Sequence, residues 1–196
     1  MKYVVFALTT LTLLGCDFGE DEAVPDAAPP VEYGSLDVEA TTEGEAGVFP
    51  IFGTQCANDP NTGFFEGTFT GAGGLELNLK IKGFSTSPKT YNCSQSGDNT
   101  DGDVGLLFDE CAITLTLPDP ETATNTYAMH RAIPETDAFA YMGACTISTQ
   151  YEAPRVTATL DCAGLIQTHY EGGPRRPIAN DVTATLSAGS SVHCDL

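Results

Sequence analysis

The chain has 196 residues, with 27 Asp and Glu against 8 Lys and Arg, and its formal net charge at pH 7 is −19. This length favours one domain plus an extended terminus, and a domain of about 160 residues can bury a substantial hydrophobic core. The negative charge argues against nucleic acid as a partner, because phosphate groups would be repelled. For the same reason, contact with an anionic membrane surface would require an anchor.

An uncharged and mostly apolar run, Val4 to Leu14 (VVFALTTLTLL), follows Lys2 at the N-terminus. This run is too short for a helix that crosses a bilayer, which takes about 20 residues. A positive charge, a short apolar run and a small residue just after it are typical of a secretory signal peptide. We therefore expect residues 1–15 to direct export and to be removed from the mature protein.

The run ends in Leu13-Leu14-Gly15-Cys16, which resembles the lipobox of bacterial membrane lipoproteins. The resemblance implies that diacylglycerol is attached to the sulfur of Cys16 and that signal peptidase II then cleaves before this residue. Each buried CH₂ group contributes about 0.8 kcal/mol, so several acyl chains on one residue would anchor the protein stably. Asp17 resembles an inner-membrane retention signal of enteric bacteria. Other bacteria sort lipoproteins differently, so the sequence does not decide between the inner and the outer membrane.

The residues after Cys16 are predicted to form a tether, with the boundaries 16–34. Asp17 to Gly34 (DFGEDEAVPDAAPPVEYG) contains six acidic residues and three prolines. Like charges and prolines favour an extended chain, and few apolar side chains are present to dock it. We expect this segment to hold the folded part away from the lipid, and residues 35–196 to form a single β-rich domain.

Alternating apolar and polar residues predict strands throughout this domain. The clearest run is Leu75 to Ile81 (LELNLKI), and with the preceding FFEGTFTG and the GAGG turn it predicts a hairpin over Phe64 to Phe84. The predicted strand positions, in chain order, are Leu36 and Val38, Phe64 to Phe84, Ala112 to Leu117, Cys145 to Tyr151, Val156 to Cys162, Asn180 to Leu186, and Ser191 to Cys194. Sustained helical periodicity is missing, so we predict an all-β fold, an antiparallel sandwich or a barrel-like domain with disulfides.

Six cysteines remain once Cys16 is assigned to the lipid, and an exported protein is expected to pair them. Cys145 and Cys162 lie equally far from a hairpin turn, which places them opposite each other on neighbouring strands. Cys93 and Cys111 bound a polar loop, and joining them would stabilise the fold by about 3 kcal/mol in the chain-entropy model. These two pairs leave Cys56 with Cys194. The sequence lacks the closely spaced cysteine pairs of a zinc site.

The stretch DNTDGD is the strongest candidate for a metal site. The carboxylates of Asp98, Asp101 and Asp103 lie around a glycine, and oxygen ligands of this kind suit Ca²⁺. The EF-hand spacing fails, however, because its first and last ligand positions would be a glycine and a phenylalanine. We favour a solvated acidic loop over a calcium site, and we expect neither a metal nor a cofactor.

Residues that would support catalysis are scattered. The three histidines, His130, His169 and His193, fit no HExxH motif, and no GxSxG nucleophile motif occurs. Cysteines held in disulfides cannot act as nucleophiles, so we expect a protein that is not an enzyme. Arg175 and Arg176 are most simply explained by a turn, with binding of an acidic partner as the alternative.

Two functions of different classes follow. The leading one is a lipid-anchored envelope lipoprotein whose extracytoplasmic β-domain has a non-catalytic interaction or structural role, with an envelope protein as partner. The alternative is a ligand- or carbohydrate-binding module of the cell surface. The absence of Trp counts against sugar stacking, and several of the seven tyrosines would have to replace it. An envelope hydrolase is a third reading, for which the sequence offers no defensible residues.

Overall fold

The computed structural model of the chain describes residues 29–40, 46–93, 108, 110–119, 123–128, 130–133, 138–141, 144–167 and 183–196. Within these residues the chain forms strands β1 (Gly34–Ala40), β2 (Gly47–Asp59), β3 (Phe64–Gly71), β4 (Glu76–Lys82), β5 (Lys89–Cys93), β6 (Cys111–Asp119), β7 (Ala123–Ala128), β8 (His130–Ile133), β9 (Ala138–Tyr141), β10 (Ala144–Glu152), β11 (Arg155–Gln167) and β12 (Thr183–Asp195). A short 3₁₀ turn, η1 (Ala72–Gly74), joins β3 to β4. The described part of the chain is therefore built almost entirely from strands.

Ten of the described strands form one antiparallel sheet that curls into a half-barrel, which confirms the predicted all-β class. The strand order is β12-β1-β2-β3-β4-β6-β7-β11-β10-β5. Because β12 also pairs with β11, the curled sheet meets itself, but β7 and β11 pair over two residues only, so the closure is partial. Strands β10 and β5 continue the sheet from β11. Strands β8 and β9 form a separate hairpin. The curl places one face of the sheet inside, where it encloses the core.

The hairpin predicted over Phe64 to Phe84 is present as β3 and β4. Gly73 in its turn has a φ of 69°, a left-handed conformation that glycine adopts without steric cost. The apolar residues of the alternating run face inward and are at most 2% exposed: Leu75, Leu77, Leu79 and Ile81. Full burial of such side chains stabilises a fold by about 1.5–3 kcal/mol each. The period-two pattern therefore identifies the core face of this hairpin correctly.

The last strand differs from the prediction of two separate pieces. β12 runs without a break from Thr183 to Asp195, although the intervening residues SAGS look like a turn. Its ladder with β1 shifts register between Ser35 and Val38. At that shift the buried Ser190 hydroxyl accepts a hydrogen bond from the Asp37 N–H (2.9 Å) and donates one to the Asp37 carbonyl (3.2 Å). A side chain thus replaces the missing ladder bonds and keeps the strand continuous.

Strand β6 also extends past its predicted end, because Pro118 lies within it and pairs with Thr124 of β7. Pairing of β6 with β4 on its other side ends at Thr116. Beyond that point β6 leaves the ladder with β4 and Pro118 lies beside the η1 turn at Gly73, so a proline without an N–H group is tolerated. Proline therefore marks the end of one ladder here and not the end of the strand.

Sequence periodicity alone missed five strands: β2, β5, β7, β8 and β9. The pattern in β2 is broken because its register with β3 shifts between Ile51 and Gly53, which leaves the side chain of Phe52 39% exposed. A bulge of this kind adds one residue to a strand and disrupts its alternation. β5 (KTYNC) and β7 (ATNTYA) contain few large apolar residues, and β8 and β9 have four residues each, so alternation does not stand out in these strands.

Three disulfides brace the sheet: Cys56–Cys194, Cys93–Cys111 and Cys145–Cys162. These are the same pairs that spacing and elimination favoured. Cys145 and Cys162 are direct partners in the β10–β11 ladder, as expected for two residues equally far from one turn. Cys56–Cys194 joins β2 to β12 across the end of β1, where that strand no longer separates them. Each bond therefore links two different strands of the sheet.

Candidate functional site

Several predicted site residues lie outside the described residues. They are Cys16, the acidic residues Asp98, Asp101 and Asp103, the basic residues Arg175 and Arg176, and His169. His130 lies in β8, but its side chain is not described. Lipidation of Cys16 and calcium binding by the acidic loop therefore stay predictions. None of the described residues forms a helix with the length and apolar character needed to cross a bilayer.

The chain coming from the predicted anchor joins the sheet at Tyr33. The Tyr33 N–H donates to the Ile51 carbonyl of β2 (2.7 Å), and the Tyr33 carbonyl accepts from the His193 N–H of β12 (2.9 Å). The Tyr33 and His193 rings also pack together, with 5.7 Å between their centroids. This residue is held between two strands beside the Cys56–Cys194 bond, so the predicted tether meets a braced part of the domain.

Gly34 makes this connection possible and begins β1 one residue before the predicted domain boundary. Its φ is 128°, a backbone conformation that other residues rarely adopt. A Cβ atom at this position would collide with the backbone carbonyl of Ser191 on β12. The tight approach of β1 to β12 therefore requires glycine where the tether ends and the sheet begins.

A row of five hydroxyl side chains crosses the outer face of the sheet. Register places them on neighbouring strands in the order Thr90 (β5), Ser148 (β10), Thr159 (β11), Ser191 (β12) and Ser35 (β1). Strands lie about 4.8 Å apart, so this hydroxyl row extends over about 19 Å. The Thr90 and Ser148 hydroxyls are hydrogen-bonded to each other (2.8 Å). The row is a regular polar surface that crosses five strands of the described sheet.

The surroundings of the hydroxyl row carry little charge in a chain whose net charge is −19. The outward positions on either side of the row along β5, β10 and β11 are Asn92, Thr146, Gln150, Thr157 and Asp161. Asp161 is the charged member of this group, and on β1 Asp37 lies two residues from Ser35 on the same face, where its carboxylate accepts from the Ser187 hydroxyl (2.6 Å). Uncharged groups of this kind both donate and accept hydrogen bonds, so the face can engage a neutral polar ligand without repelling it.

Most of the described tyrosines are taken up by the core and are not available as an aromatic platform on this face. Tyr91 and Tyr127 are fully buried in the core, and Tyr151 is half-buried and packs against it. The Tyr91 hydroxyl accepts a hydrogen bond from the Ser85 N–H (2.8 Å). The side chains of Tyr141 and Tyr170 lie outside the described residues. Tyr91, Tyr127 and Tyr151 therefore serve packing, and the partly buried Tyr33 has its ring against His193.

Charged side chains in the described part of the chain form exposed ion pairs and a hydrogen bond in a turn. Lys80 pairs with Glu66 (2.7 Å), and Arg155 pairs with Asp195 (3.2 Å); exposed pairs of this kind contribute about 0–1 kcal/mol. In the β2–β3 turn, a hydrogen bond from the Asn61 N–H holds the pKa of Asp59 below its ordinary value of 3.8. Within the described ranges, no three histidine, cysteine or acidic residues are grouped to hold a metal ion.

No protein-family model, curated protein or solved structure matches the chain. The resemblance of residues 13–16 to the lipobox stays a prediction from the sequence. The regular features of the domain itself are the disulfide pairing, the fixed junction at Tyr33 and the hydroxyl row. Periodicity predicts which residues face outward, but the row spans strands that are distant in sequence, and its alignment follows from the sheet register.

Proposed function

We propose that the protein is a lipid-anchored lipoprotein of the bacterial envelope, whose extracytoplasmic β-domain has a non-catalytic interaction or structural role. The main observation behind this proposal is that the cysteines of the domain pair with one another. Six of the seven form three disulfides with one another, which leaves Cys16, in the lipobox-like sequence, for acylation. Disulfides are also expected outside the cytoplasm, where the surroundings are oxidising.

The junction at Tyr33 supports the same function. A tether that attaches to a disulfide-braced region transmits a pull on the lipid to several strands, because the Tyr33 backbone bonds both β2 and β12. The acidic residues and prolines of residues 17–32 favour an extended connection. A domain presented in this way stands clear of the membrane surface, where it can contact other envelope components.

Metabolic labelling of the full-length chain in a bacterium with an alkynyl fatty acid tests the anchor. Wild-type protein is expected to carry the label and to sediment with membranes. Cys16→Ser is expected to lose the label and either to be released or to keep its signal peptide. Asp17→Asn is the matched control, because it changes the next residue and leaves the acylated sulfur in place. A Cys16→Ser protein that stays labelled, processed and membrane-bound would refute the proposal.

The hydroxyl row favours a second candidate, a ligand- or carbohydrate-binding module of the cell surface. Its hydroxyls can donate to and accept from sugar hydroxyls, although the described tyrosines pack in or against the core or, at Tyr33, against the ring of His193. A glycan array probed with wild type and Thr159→Asp tests this function, with Gln55→Asp as the control that adds the same charge on β2. Wild type and the control are expected to bind a neutral glycan that Thr159→Asp does not. A wild-type protein that binds no glycan removes this candidate.

A further inference from the structure

Cys145 has two cysteines as direct neighbours in the sheet. In the register of β10, Cys145 lies opposite Cys162 of β11 on one side and opposite Cys93 of β5 on the other. Directly opposite residues of antiparallel strands have Cβ atoms about 4.5–5.5 Å apart, which allows a bridge after small adjustment. Cys145 is bonded to Cys162 and Cys93 is bonded to Cys111, so a third pairing, Cys93–Cys145, is within reach.

The Cys93–Cys111 bond holds a seam between β5 and β6. Among the described strands, β5 pairs with β10 alone, and its other edge faces β6 without a ladder. The Glu110 carboxylate closes this edge by accepting from the Asn92 N–H (2.8 Å), and Lys89 lies 3.8 Å from the same carboxylate. The disulfide is thus the covalent link across the seam, and exposed polar contacts supplement it.

We propose that these two disulfides form an exchange pair that opens the β5–β6 seam on reduction. An external dithiol of the thioredoxin type reduces Cys93–Cys111 to two thiols and becomes a disulfide itself. The Cys93 thiolate then attacks the sulfur of Cys145, forming Cys93–Cys145 and releasing Cys162 as a thiolate. Cys162 takes up the proton that Cys93 loses. The net change is one two-electron reduction, which leaves thiols at Cys111 and Cys162.

The exchange keeps β5 attached to β10 and detaches it from β6. In the oxidised protein the chain between Cys93 and Cys111 is a closed loop, and after exchange one end of that loop is free of its covalent tie. Burial protects the resting state, since all four cysteines are at most 4% exposed. A reductant reaches them when β5 separates locally, and a five-residue strand at a sheet edge is expected to open at low cost.

Two double variants separate this proposal from ordinary thiol reactivity. Cys111→Ala with Cys162→Ala leaves Cys93 and Cys145, which are neighbours. Cys111→Ala with Cys145→Ala leaves Cys93 and Cys162, which are two strand steps, about 10 Å, apart. Each variant removes one cysteine from each bond, and alanine avoids burying an unpaired hydroxyl. Residues more than about 7 Å apart between Cα atoms cannot be bridged without backbone movement.

The readout is non-reducing peptide mapping of air-oxidised, monomeric protein. The first variant is expected to contain at least about tenfold more of its cross-link than the second, since only its cysteines satisfy the distance limit. Graded reduction of wild type, followed by alkylation and mapping, is expected to yield Cys93–Cys145 peptides with Cys111 and Cys162 alkylated. This second measurement applies even if the variants fold poorly. Two results would overturn the proposal. One is that, after one bond of wild type is reduced, the other native bond stays intact. The other is equal cross-linking in both variants.

Discussion

Replacing Cys56 and Cys194 by alanine removes the bond that encloses most of the domain. The two cysteines are 138 residues apart in sequence, and the other two bonds, with separations of 18 and 17, lie within this span. These inner bonds persist when the protein unfolds and shorten the flexible part of the loop. Subtracting both separations from 138 leaves an effective loop of about 103 residues. Because the Cys56–Cys194 bond closes this loop, it lowers the conformational entropy of the unfolded chain.

The size of the effect follows from that loop length. In the chain-entropy model a loop of about 100 residues corresponds to about 4.7 kcal/mol, and a loop of 15–20 residues to about 3 kcal/mol. We therefore expect the Cys56→Ala/Cys194→Ala variant to lose about 1.5 kcal/mol more unfolding free energy than Cys93→Ala/Cys111→Ala. Both variants lose two sulfur atoms, and Cys56 is only partly buried whereas Cys93 and Cys111 are buried. The packing loss is therefore no larger in the Cys56→Ala/Cys194→Ala variant, and a larger total loss there reports loop closure.

Urea unfolding without reductant measures these free energies. Far-UV circular dichroism or tyrosine fluorescence can follow it, since the chain has no tryptophan. The Cys56→Ala/Cys194→Ala variant should also show the larger m-value, because its unfolded chain is less constrained and exposes more surface. A loss equal to or smaller than that of the Cys93→Ala/Cys111→Ala variant would refute the assignment of this bond as the main constraint on the unfolded chain.

Three further substitutions test the core, the bulge and one turn. Leu77→Ala should lower the unfolding free energy by about 2–5 kcal/mol in urea titrations, because its side chain is fully buried; a loss below about 1 kcal/mol would contradict that burial. Ser190→Ala should cost about 1–3 kcal/mol, because it leaves the Asp37 N–H and carbonyl without their partner, and hydrogen exchange should quicken at Asp37. Asp59 has a lowered pKa, so its contribution is present above its unfolded pKa and is lost as pH falls through the folded value. Asp59→Asn should therefore flatten the acid side of the stability profile, and an unchanged profile would contradict the Asn61 hydrogen bond.

Local patterns were enough to predict the antiparallel all-β class and the face of the longest alternating run. The inward-facing positions around Leu77 were predicted correctly because every second residue of such a strand is buried. The Cys145–Cys162 hairpin was equally readable, because a short turn determines which residues lie opposite each other. These features depend on neighbours in sequence, and their physics is contained in a few consecutive residues.

The tertiary structure decided everything that depends on pairing between distant strands. The bulge beside Ile51 hides β2 from a period-two search, and the continuous β12 depends on the Ser190 hydroxyl bonding to β1. The alignment of Thr90 with Thr159 is set by the order of β5, β10 and β11 in the sheet.

The seven cysteines show both sides of this division. Their odd number, and the position of Cys16 after an apolar run, are properties of the sequence and predict an exported, anchored protein. The proximity of Cys93 to Cys145 is a property of the sheet, because β5 reaches β10 through long-range pairing that leaves no mark on either strand's composition. Strand character is encoded locally, but sheet register minimises the free energy of the whole chain, and short stretches of sequence do not contain it.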